Sequence, residues 1–370
     1  MARTEGAALG LVSPDDVRRD AATIAFNALA LQPQGCGVQL YVRSLLGALV
    51  GDLAEELRVD AVATVFEDAA GELPPGVRAV VRPGQGTLAR IVEGRRGMPG
   101  AALVHGLDVQ VPRSRPGGVP SVSTVHDLAV FDVPWTFSRR YATAQRRIMR
   151  HAARHAEAVV VDSAFTAERL RRRLSRRAHV VPLAAPADMA PAPPEERERV
   201  RAERGLPGRF VLYVGRTEPR KDVATVAVAC RAAGAPLVIA GRAPARPVAG
   251  AVHLGYVPRE RLAALYGAAT VVAYPSTYEG FGLPPLEAMA CGAPVLAYDI
   301  PPLRETVAGA AELVAPGDED ALVSALRRLL HDDDQRADLA RRGRRRAGGR
   351  TWADVARATA AVYRTLGVDC

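Results

Sequence analysis

The sequence predicts an α/β protein built from two doubly wound domains. Short apolar runs alternate with helix-like stretches along both halves, and 370 residues are too many for one ordinary core. A proline-rich segment near the middle separates the two series of runs. Alternation of this kind indicates parallel sheets covered by helices on both faces, with ligands bound at the carboxyl ends of the strands.

The first half begins with a buried-strand pattern, the apolar run at 21–30. A glycine turn follows, and the stretch at 38–49 is typical of an amphipathic helix. We therefore assign residues 1–185 to an N-terminal Rossmann-like domain. Its further predicted strands are VDAVATV, AALVHGL, SVSTVHD and AVVVDS.

The middle segment, 186–206, is predicted to link the domains. Prolines are frequent from Pro186 to Pro194 and exclude a helix there. Apolar runs then resume, so residues 207–350 are assigned to a C-terminal Rossmann-like domain. Its predicted strands are RFVLYVG, APLVIAG, AVHLGYV, TVVAYPS and APVLAYD.

The tail of the chain is predicted to be helical. Residues 351–370 are expected to form a C-terminal helix that packs back on the N-terminal domain. Before it, the run RRGRRRAGGR is interpreted as a solvated, flexible basic surface.

Composition limits the compartment and the partners. Hydrophobic residues make up 48% and charged residues 24%, and neither a bilayer-spanning run nor a signal-peptide core is found, so a cytoplasmic globular protein is expected. The four cysteines form no CxxC pair, which favours a reducing compartment and argues against structural zinc. The net charge of +9 is interpreted as arginine bias, and no nucleic-acid partner is expected because no binding pattern accompanies it. Arginines crowd 139–177, but a solvated helix is favoured and membrane contact is possible without being supported.

The strongest chemical signal is the stretch YPSTYEGFGLPPLEAMACGAPVLAYD, at 274–299. A strand is expected to end near Pro275, and two prolines suit the first turn of a helix that Gly292 ends. The glycine-rich turn would present backbone N–H groups at a helix N-terminus, which is an anion site. Glu279 and Glu287 flank this turn, and carboxylates accept hydrogen bonds from sugar hydroxyls.

This stretch resembles the E-x7-E motif of retaining glycosyltransferase family 4, whose members have the GT-B fold of two facing Rossmann-like domains. The resemblance implies that Glu279 contacts the donor sugar and Glu287 the ribose hydroxyls. It also implies that the donor diphosphate and sugar face the amides of Phe281, Gly282 and Leu283.

The second signal is VLYVGRTEPRKD, in which Gly215 and Arg216 follow a strand and Lys221 comes five residues later. Two cations on one loop could stabilise a leaving diphosphate, which is the work of a metal ion in other enzymes. The spacing resembles the family's G-R-x-x-x-x-K pattern. Because these cations could do the work of a metal ion, we expect neither a metal nor a cofactor. Asp332–Asp334 contains a D-x-D pattern, which we interpret as a helix cap and not as a metal site.

The third signal is STVHDL, with His126 and Asp127 at a predicted strand end. Such a pair can bind sugar hydroxyls or cap a loop. The phrase resembles the V-H-D segment of mannosyltransferase-like family members, in which the histidine lies near the anomeric region of the donor sugar. Asp127 and His105 are candidates for acceptor binding, and a buried structural histidine is the alternative for His105.

Weaker signals lie elsewhere. Gly35 and Gly37 could form a tight turn or approach a ligand closely, and the family has a donor-closing glycine loop at this place. Ser163 is interpreted as a helix cap. Glu305 occupies a position that is often acidic in the family. The turn Gly255–Val257 is a candidate contact for the nucleotide base.

The resemblance implies transfer of a hexosyl group, with retained configuration, from a nucleotide-diphosphate sugar to a small-molecule, glycan or lipid-linked acceptor. GDP-mannose is one candidate donor. Two alternatives stay open: a nucleotide-sugar 2-epimerase of GT-B fold, and a non-catalytic nucleotide-sugar-binding protein.

Overall fold

The fold consists of two parallel sheets with helices on both faces. The computed structural model describes residues 22–33, 37–97, 100–112, 118–242 and 247–370. Within these ranges the predicted pair of doubly wound domains is confirmed. None of the described helices combines the length and the apolar character needed to cross a bilayer.

The N-terminal sheet has seven parallel strands in the order β3-β2-β1-β4-β5-β6-β7. The strand order reverses between β1 and β4, and this reversal opens a crevice at their carboxyl ends. The strands are β1 (Ala22–Asn27), β2 (Val59–Phe66), β3 (Arg78–Arg82), β4 (Leu103–Gly106), β5 (Ser121–Val125), β6 (Ala158–Val161) and β7 (His179–Val180). The helices are α1 (Val38–Gly47), α2 (Ala54–Leu57), α3 (Gly86–Glu93), α4 (Ala129–Asp132), α5 (Arg139–His155) and α6 (Ala164–Leu174).

The C-terminal sheet has six parallel strands in the order β10-β9-β8-β11-β12-β13, and its order reverses between β8 and β11. The strands are β8 (Val211–Val214), β9 (Leu237–Ala240), β10 (Ala251–Gly255), β11 (Val271–Tyr274), β12 (Val295–Tyr298) and β13 (Glu312–Val314). The helices are α7 (Pro194–Glu203), α8 (Val223–Ala233), α9 (Arg259–Ala268), α10 (Leu283–Ala290), α11 (Pro301–Val307), α12 (Glu319–His331), α13 (Asp333–Ala347) and α14 (Trp352–Arg364).

The segment predicted as a linker contains a helix. No helix occurs among its prolines, but α7 begins at Pro194, where a proline costs no hydrogen bond, and packs against α9. At the end of the chain, α14 begins at a capping box formed by Thr351 and Asp354 and packs on α1 of the N-terminal domain.

The basic run at 341–350, predicted to be a solvated and flexible surface, is mostly exposed, but most of it is helical. Helix α13 continues through most of it and packs on α10. Arg346 donates hydrogen bonds to the carbonyl oxygens of Thr306 and Glu305, both at 2.7 Å. Arginine side chains are long enough to lie along a neighbouring helix end and pair with its free carbonyls, so a basic run need not be a loose one.

Candidate nucleotide-sugar site

Two loops of the C-terminal domain meet where its strand order reverses. One follows β8 and carries a short turn, Pro219–Lys221, and the other follows β11 and leads into α10. The backbone N–H and the hydroxyl of Thr277 donate to the carbonyl oxygen of Arg220, at 2.8 and 2.9 Å. Side chains from both loops therefore keep a fixed separation.

Lys221 and Glu279 form a buried ion pair between these loops, each with a relative exposure of 8%. The ammonium of Lys221 also donates to Oη of Tyr274 at 2.9 Å, and that hydroxyl donates to Glu279 at 2.7 Å. Burial alone would raise the pKa of Glu279, but Lys221 and Arg220 lower it to about 2. Burial lowers the pKa of Lys221, although Glu279 opposes that shift. Glu279 is thus a fixed carboxylate.

Arg220 was missed by sequence reasoning, which emphasised Arg216 instead. The guanidinium of Arg220 donates to the carbonyl oxygen of Tyr278 at 2.9 Å and lies 3.4 Å from Glu279. The side chain of Arg216 is 66% exposed and pairs with Glu218 at 3.3 Å. The structure brings Lys221 and Glu279 together, whereas Arg216 extends outward from the loop. The available signal was Pro219, which begins the short turn that carries both of these cations.

The glycines of the second loop are required by close approach. Gly282 caps α10 with φ of 104°, and a Cβ there would lie 2.5 Å from Leu303. Prolines occupy the first turn of α10, as the sequence predicts. The segment from Phe281 to Leu283 is buried and leads directly into the N-terminus of the helix. This end of α10 carries the partial positive charge that attracts anions.

Glu287 lies on the same helix but in a separate cluster. Its carboxylate accepts a hydrogen bond from Oη of Tyr266 at 3.1 Å and one from Arg259 at 3.3 Å. Arg259 also donates to Asp188 at 2.8 Å. Burial raises the pKa of Glu287, and the charge of Arg259 opposes that shift. Arg259 begins α9 just after the turn at Gly255–Val257, so Glu287 and that turn belong to one region.

His126 follows β5 and faces the second loop from the N-terminal domain. Its Nδ1 donates to Oδ2 of Asp162 at 2.7 Å, and its Nε2 donates to the carbonyl oxygen of Leu107 at 3.0 Å. Burial would lower the pKa of His126, but the carboxylate of Asp162 raises it to about 9. His126 is therefore an imidazolium at neutral pH, and its two N–H groups are both engaged within the protein.

Asp127 lies beside His126 and is held by a local turn. Its Oδ1 accepts the backbone N–H of Ala129 at 2.8 Å. Burial raises the pKa of Asp127, whereas Arg220 of the opposite domain lowers it. Asp127 and Arg220 thus interact electrostatically across the domain boundary.

His105 occupies a position that differs from an acceptor site. The side chain has no exposed surface, and its ring nitrogens are hydrogen-bonded to Oη of Tyr363 at 2.6 Å and to Oγ1 of Thr124 at 2.8 Å. Burial lowers its pKa to about 3, so the ring is neutral. This geometry favours the structural alternative: His105 joins the N-terminal sheet to α14.

The other residues predicted from the sequence are three glycines and a serine. Gly35 lies outside the described residues, and Gly37 caps α1 with φ of 66°. Gly215 follows β8 with φ of 143°, a conformation that L side chains rarely adopt. Ser163 caps α6, as predicted.

The described ranges contain no group of three His, Cys, Asp or Glu side chains arranged to hold a metal ion. Asp332 begins the D-x-D pattern. Its carboxylate accepts the backbone N–H of Gln335 at 2.8 Å and caps α13. Its interpretation as a helix cap is confirmed.

Comparison with known proteins agrees with this architecture. Residues 195–346 match the family described as "Glycosyl transferases group 1". The chain is 31% identical over 390 residues to a D-inositol 3-phosphate glycosyltransferase of Rhodococcus erythropolis, covering 93% of this chain and 85% of that protein. It is 30% identical over 268 residues to O-antigen chain mannosyltransferase B of Escherichia coli, covering 66% and 70%.

Solved structures confirm the GT-B fold. Sucrose-phosphate synthase from Thermosynechococcus elongatus superposes with a TM-score of 0.74 at 24% identity, over 94% of this chain and 99% of that one. Anabaena HepE in complex with UDP-glucose gives a TM-score of 0.72 at 19% identity, over 93% and 99%. From the two relatives that are at least 30% identical over more than two thirds of their length, we conclude that the chain belongs to the group 1 glycosyl transferases.

Proposed function

We propose that this protein is a retaining, metal-independent hexosyltransferase that uses a nucleotide-diphosphate sugar. The observation that carries the proposal is the cluster of Lys221, Arg220 and Glu279 beside the N-terminus of α10. Fixed cations and a helix N-terminus stabilise a diphosphate as negative charge develops on it, without a metal ion. Glu279 supplies a carboxylate for the sugar hydroxyls.

The cluster around Glu287 suits the nucleoside of the donor. Its carboxylate would accept hydrogen bonds from the two ribose hydroxyls, and the neighbouring turn at Gly255–Val257 would contact the base. Arg259 and Tyr266 each donate to one oxygen of that carboxylate, and acceptor capacity is left for the ribose, since a carboxylate has about four lone-pair sites.

The reaction would proceed on one face of the sugar. The bond between the anomeric carbon and the diphosphate oxygen breaks, and its electron pair stays on the diphosphate. The acceptor oxygen forms a new bond to that carbon from the same face, and its proton passes to the leaving diphosphate oxygen. Lys221 and Arg220 would stabilise the leaving group, because their side chains lie at the proposed donor site, whereas the side chain of Arg216 is largely exposed. The imidazolium of His126 would act on the sugar from the opposite domain through its positive charge, because its two N–H groups are already paired with Asp162 and Leu107.

Mannose is our first choice of donor sugar, and the names of two relatives support it. O-antigen chain mannosyltransferase B is a relative over most of its length, and an MMP α-(1→4)-mannosyltransferase of Mycolicibacterium hassiacum is 45% identical over 108 residues. We therefore place GDP-mannose first among the donors and UDP-glucose second, because a structure of similar fold holds UDP-glucose.

The acceptor would be a hydroxyl of a small molecule, glycan or lipid-linked sugar, bound by the N-terminal domain near Asp127. We place the reaction in the cytoplasm, because Cys230, Cys291 and Cys370 are free thiols.

The test begins with a thermal-shift panel of nucleotide sugars, since the correct donor stabilises the fold by mass action. The donor that shifts the melting temperature is then incubated with a panel of acceptors. Transfer with retained configuration supports the proposal. A 2-epimer product would identify an epimerase, and binding with neither hydrolysis nor transfer would identify a non-catalytic binding protein.

A further inference from the structure

The N-terminal domain forms hydrogen bonds with the loop that carries Glu279. The hydroxyl of Ser163 donates to the carbonyl oxygen of Gly280 at 2.5 Å, and Oγ1 of Thr166 lies 3.3 Å from the same oxygen. Both hydroxyl-bearing residues are buried, with exposures of 1%. Gly280 is the residue next to Glu279, so these hydrogen bonds lie directly beside the proposed donor site.

Gly280 allows this close contact between the domains because it has no side chain. A Cβ at this position would lie 1.8 Å from the carbonyl oxygen of His126, so the two backbones are in direct contact. The loop is therefore pressed against the residue that faces the sugar in the proposed reaction. Any larger residue would force the two domains apart at this point.

Two further contacts flank this point on either side. Oη of Tyr278 donates to Asp132 at 2.9 Å, and the Tyr278 ring lies edge-on to Phe165 at 5.8 Å. Asp132 is held in turn by the guanidinium of Arg169.

On the other side, Glu305 of α11 accepts the backbone N–H groups of Ala164 and Phe165, both at 2.8 Å. A carboxylate at a helix N-terminus satisfies free N–H groups and complements the helix dipole. The first turn of α6 thus donates to the C-terminal domain through its backbone and through the Ser163 hydroxyl.

We propose that these contacts form an interdomain clamp that sets the position of Glu279 relative to His126. The clamp consists of Ser163, Thr166 and Asp132 from one domain with Tyr278, Gly280 and Glu305 from the other. Ser163 is a positioning residue, because it acts on the donor loop through the backbone of Gly280. This inference rests on the proposed function. It adds that the alignment of the donor loop depends on contact with the N-terminal domain.

The clamp should affect turnover more than donor affinity. The cations and the helix N-terminus that hold the donor all belong to the C-terminal domain, whereas His126 lies across the boundary. Small misplacements of reacting groups cost rates of about 10²-fold. Loosening the clamp should therefore lower kcat and leave the donor KM nearly unchanged.

The experiment uses Ser163→Ala, Tyr278→Phe and the double variant of the full chain, with Ser163→Thr as the conservative variant. Ser138→Ala is the matched control, because Ser138 also caps a helix of the N-terminal domain but, among the described residues, its hydroxyl pairs with Tyr141 of its own helix and not with the C-terminal domain. We expect kcat to fall at least about tenfold in Ser163→Ala and further in the double variant. Ser163→Thr should recover most of the rate, and Ser138→Ala should retain it.

Small-angle scattering of the same variants gives a readout independent of activity. An increased radius of gyration in the double variant supports the clamp, even if the wild type transfers no sugar and the proposed function fails. With an active wild type, a fall in kcat at unchanged donor KM supports the positioning role, whether or not the radius changes. Unchanged kcat in the double variant overturns that role, and so does a loss confined to KM. With an inactive wild type, an unchanged radius overturns the clamp.

Discussion

Lys221 donates to Glu279 across the two loops at the carboxyl ends of β8 and β11, and both side chains are buried. The ion pair joins the loop after β8, which carries the ammonium, to the loop after β11, which carries the carboxylate. A buried pair of this kind is costly to break, because the remaining charge is left without a partner. The proposed donor site is thus preorganised before the donor binds.

Replacing Lys221 with alanine should lower turnover by a factor on the order of 10² to 10³. This is the scale seen when one preorganised charge-stabilising donor is removed, since the diphosphate gains charge as the glycosidic bond breaks. Lys221→Arg should restore only part of the rate, because a planar guanidinium does not reproduce the ammonium geometry. Steady-state kinetics at saturating donor, with direct donor binding in parallel, measures this. Near-normal turnover in Lys221→Ala would mean that the donor loop is wrongly assigned.

Exchanging Arg220 for methionine should reduce turnover more than the same exchange at Arg216. Arg220 contacts Tyr278 and Glu279, whereas the side chain of Arg216 is largely exposed. Both variants lose one positive charge, so each serves as the control for the other. If Arg216→Met causes the larger loss of kcat, then Arg216 moves inward to the donor and the exposed position seen here is not the working one.

Activity should survive EDTA. Lys221 and Arg220 supply positive charge at the place where a divalent ion would otherwise face the diphosphate. The assay compares initial rates before and after chelation, and then after addition of Mg²⁺ or Mn²⁺. Complete loss with EDTA that either metal reverses would contradict the metal-independent mechanism.

The central strands were predictable because they are buried on both faces. The strands at 22–27 and ahead of Gly215 are short, mostly apolar runs whose centres, Ile24 to Phe26 and Val211 to Tyr213, are buried, as parallel strands require. Three edge strands were missed: β3 alternates partly buried and exposed residues, β7 has two residues, and β13 has three. Strands this short or this exposed leave no apolar run to detect.

The site was predictable in its spacing but not in its side-chain directions. The sequence spacing predicted that Glu279 lies just before a helix and Glu287 on that helix. In the structure the two carboxylates belong to two separate hydrogen-bonded clusters. Arg259 joins Glu287 through a tertiary contact that no sequence spacing encodes. The same is true of Ser163, whose capping role was predicted while its hydrogen bond to Gly280 was not.

Replacing Glu287 with alanine should weaken donor binding by a few kcal/mol, since hydrogen bonds to charged groups contribute about 1.5–3 kcal/mol each. Isothermal titration calorimetry measures the donor dissociation constant. Tyr266→Phe is the control, because it removes a hydrogen bond to the same carboxylate without removing the carboxylate. An unchanged dissociation constant in Glu287→Ala would exclude the ribose role.

The last prediction concerns the ion pair of His126 and Asp162. Asp162 raises the pKa of His126 to about 9 in the folded protein, above the ordinary value of 6.5. A group whose pKa is raised by folding stabilises the folded state fully below its unfolded pKa. That contribution is then lost as the pH rises through the folded pKa. The stabilisation from His126 should therefore be complete below about pH 6.5 and disappear above about pH 9.

Urea unfolding of the wild type and of His126→Gln at several values between pH 6 and pH 10 tests this. The difference in the free energy of unfolding should shrink with rising pH by on the order of 3 kcal/mol, since the pKa rises from 6.5 to about 9 and one unit of pKa corresponds to about 1.4 kcal/mol. Asp162→Asn removes the carboxylate that holds the proton, so its stability relative to His126→Gln should vary much less over this range. If the difference between the wild type and His126→Gln stays constant from pH 6 to pH 10, folding does not raise the pKa of His126, and the ring is mostly neutral at pH 7 and above. In that case its Nε2 or Nδ1 would be an acceptor, and the imidazolium could not be the group that meets the sugar in the proposed reaction.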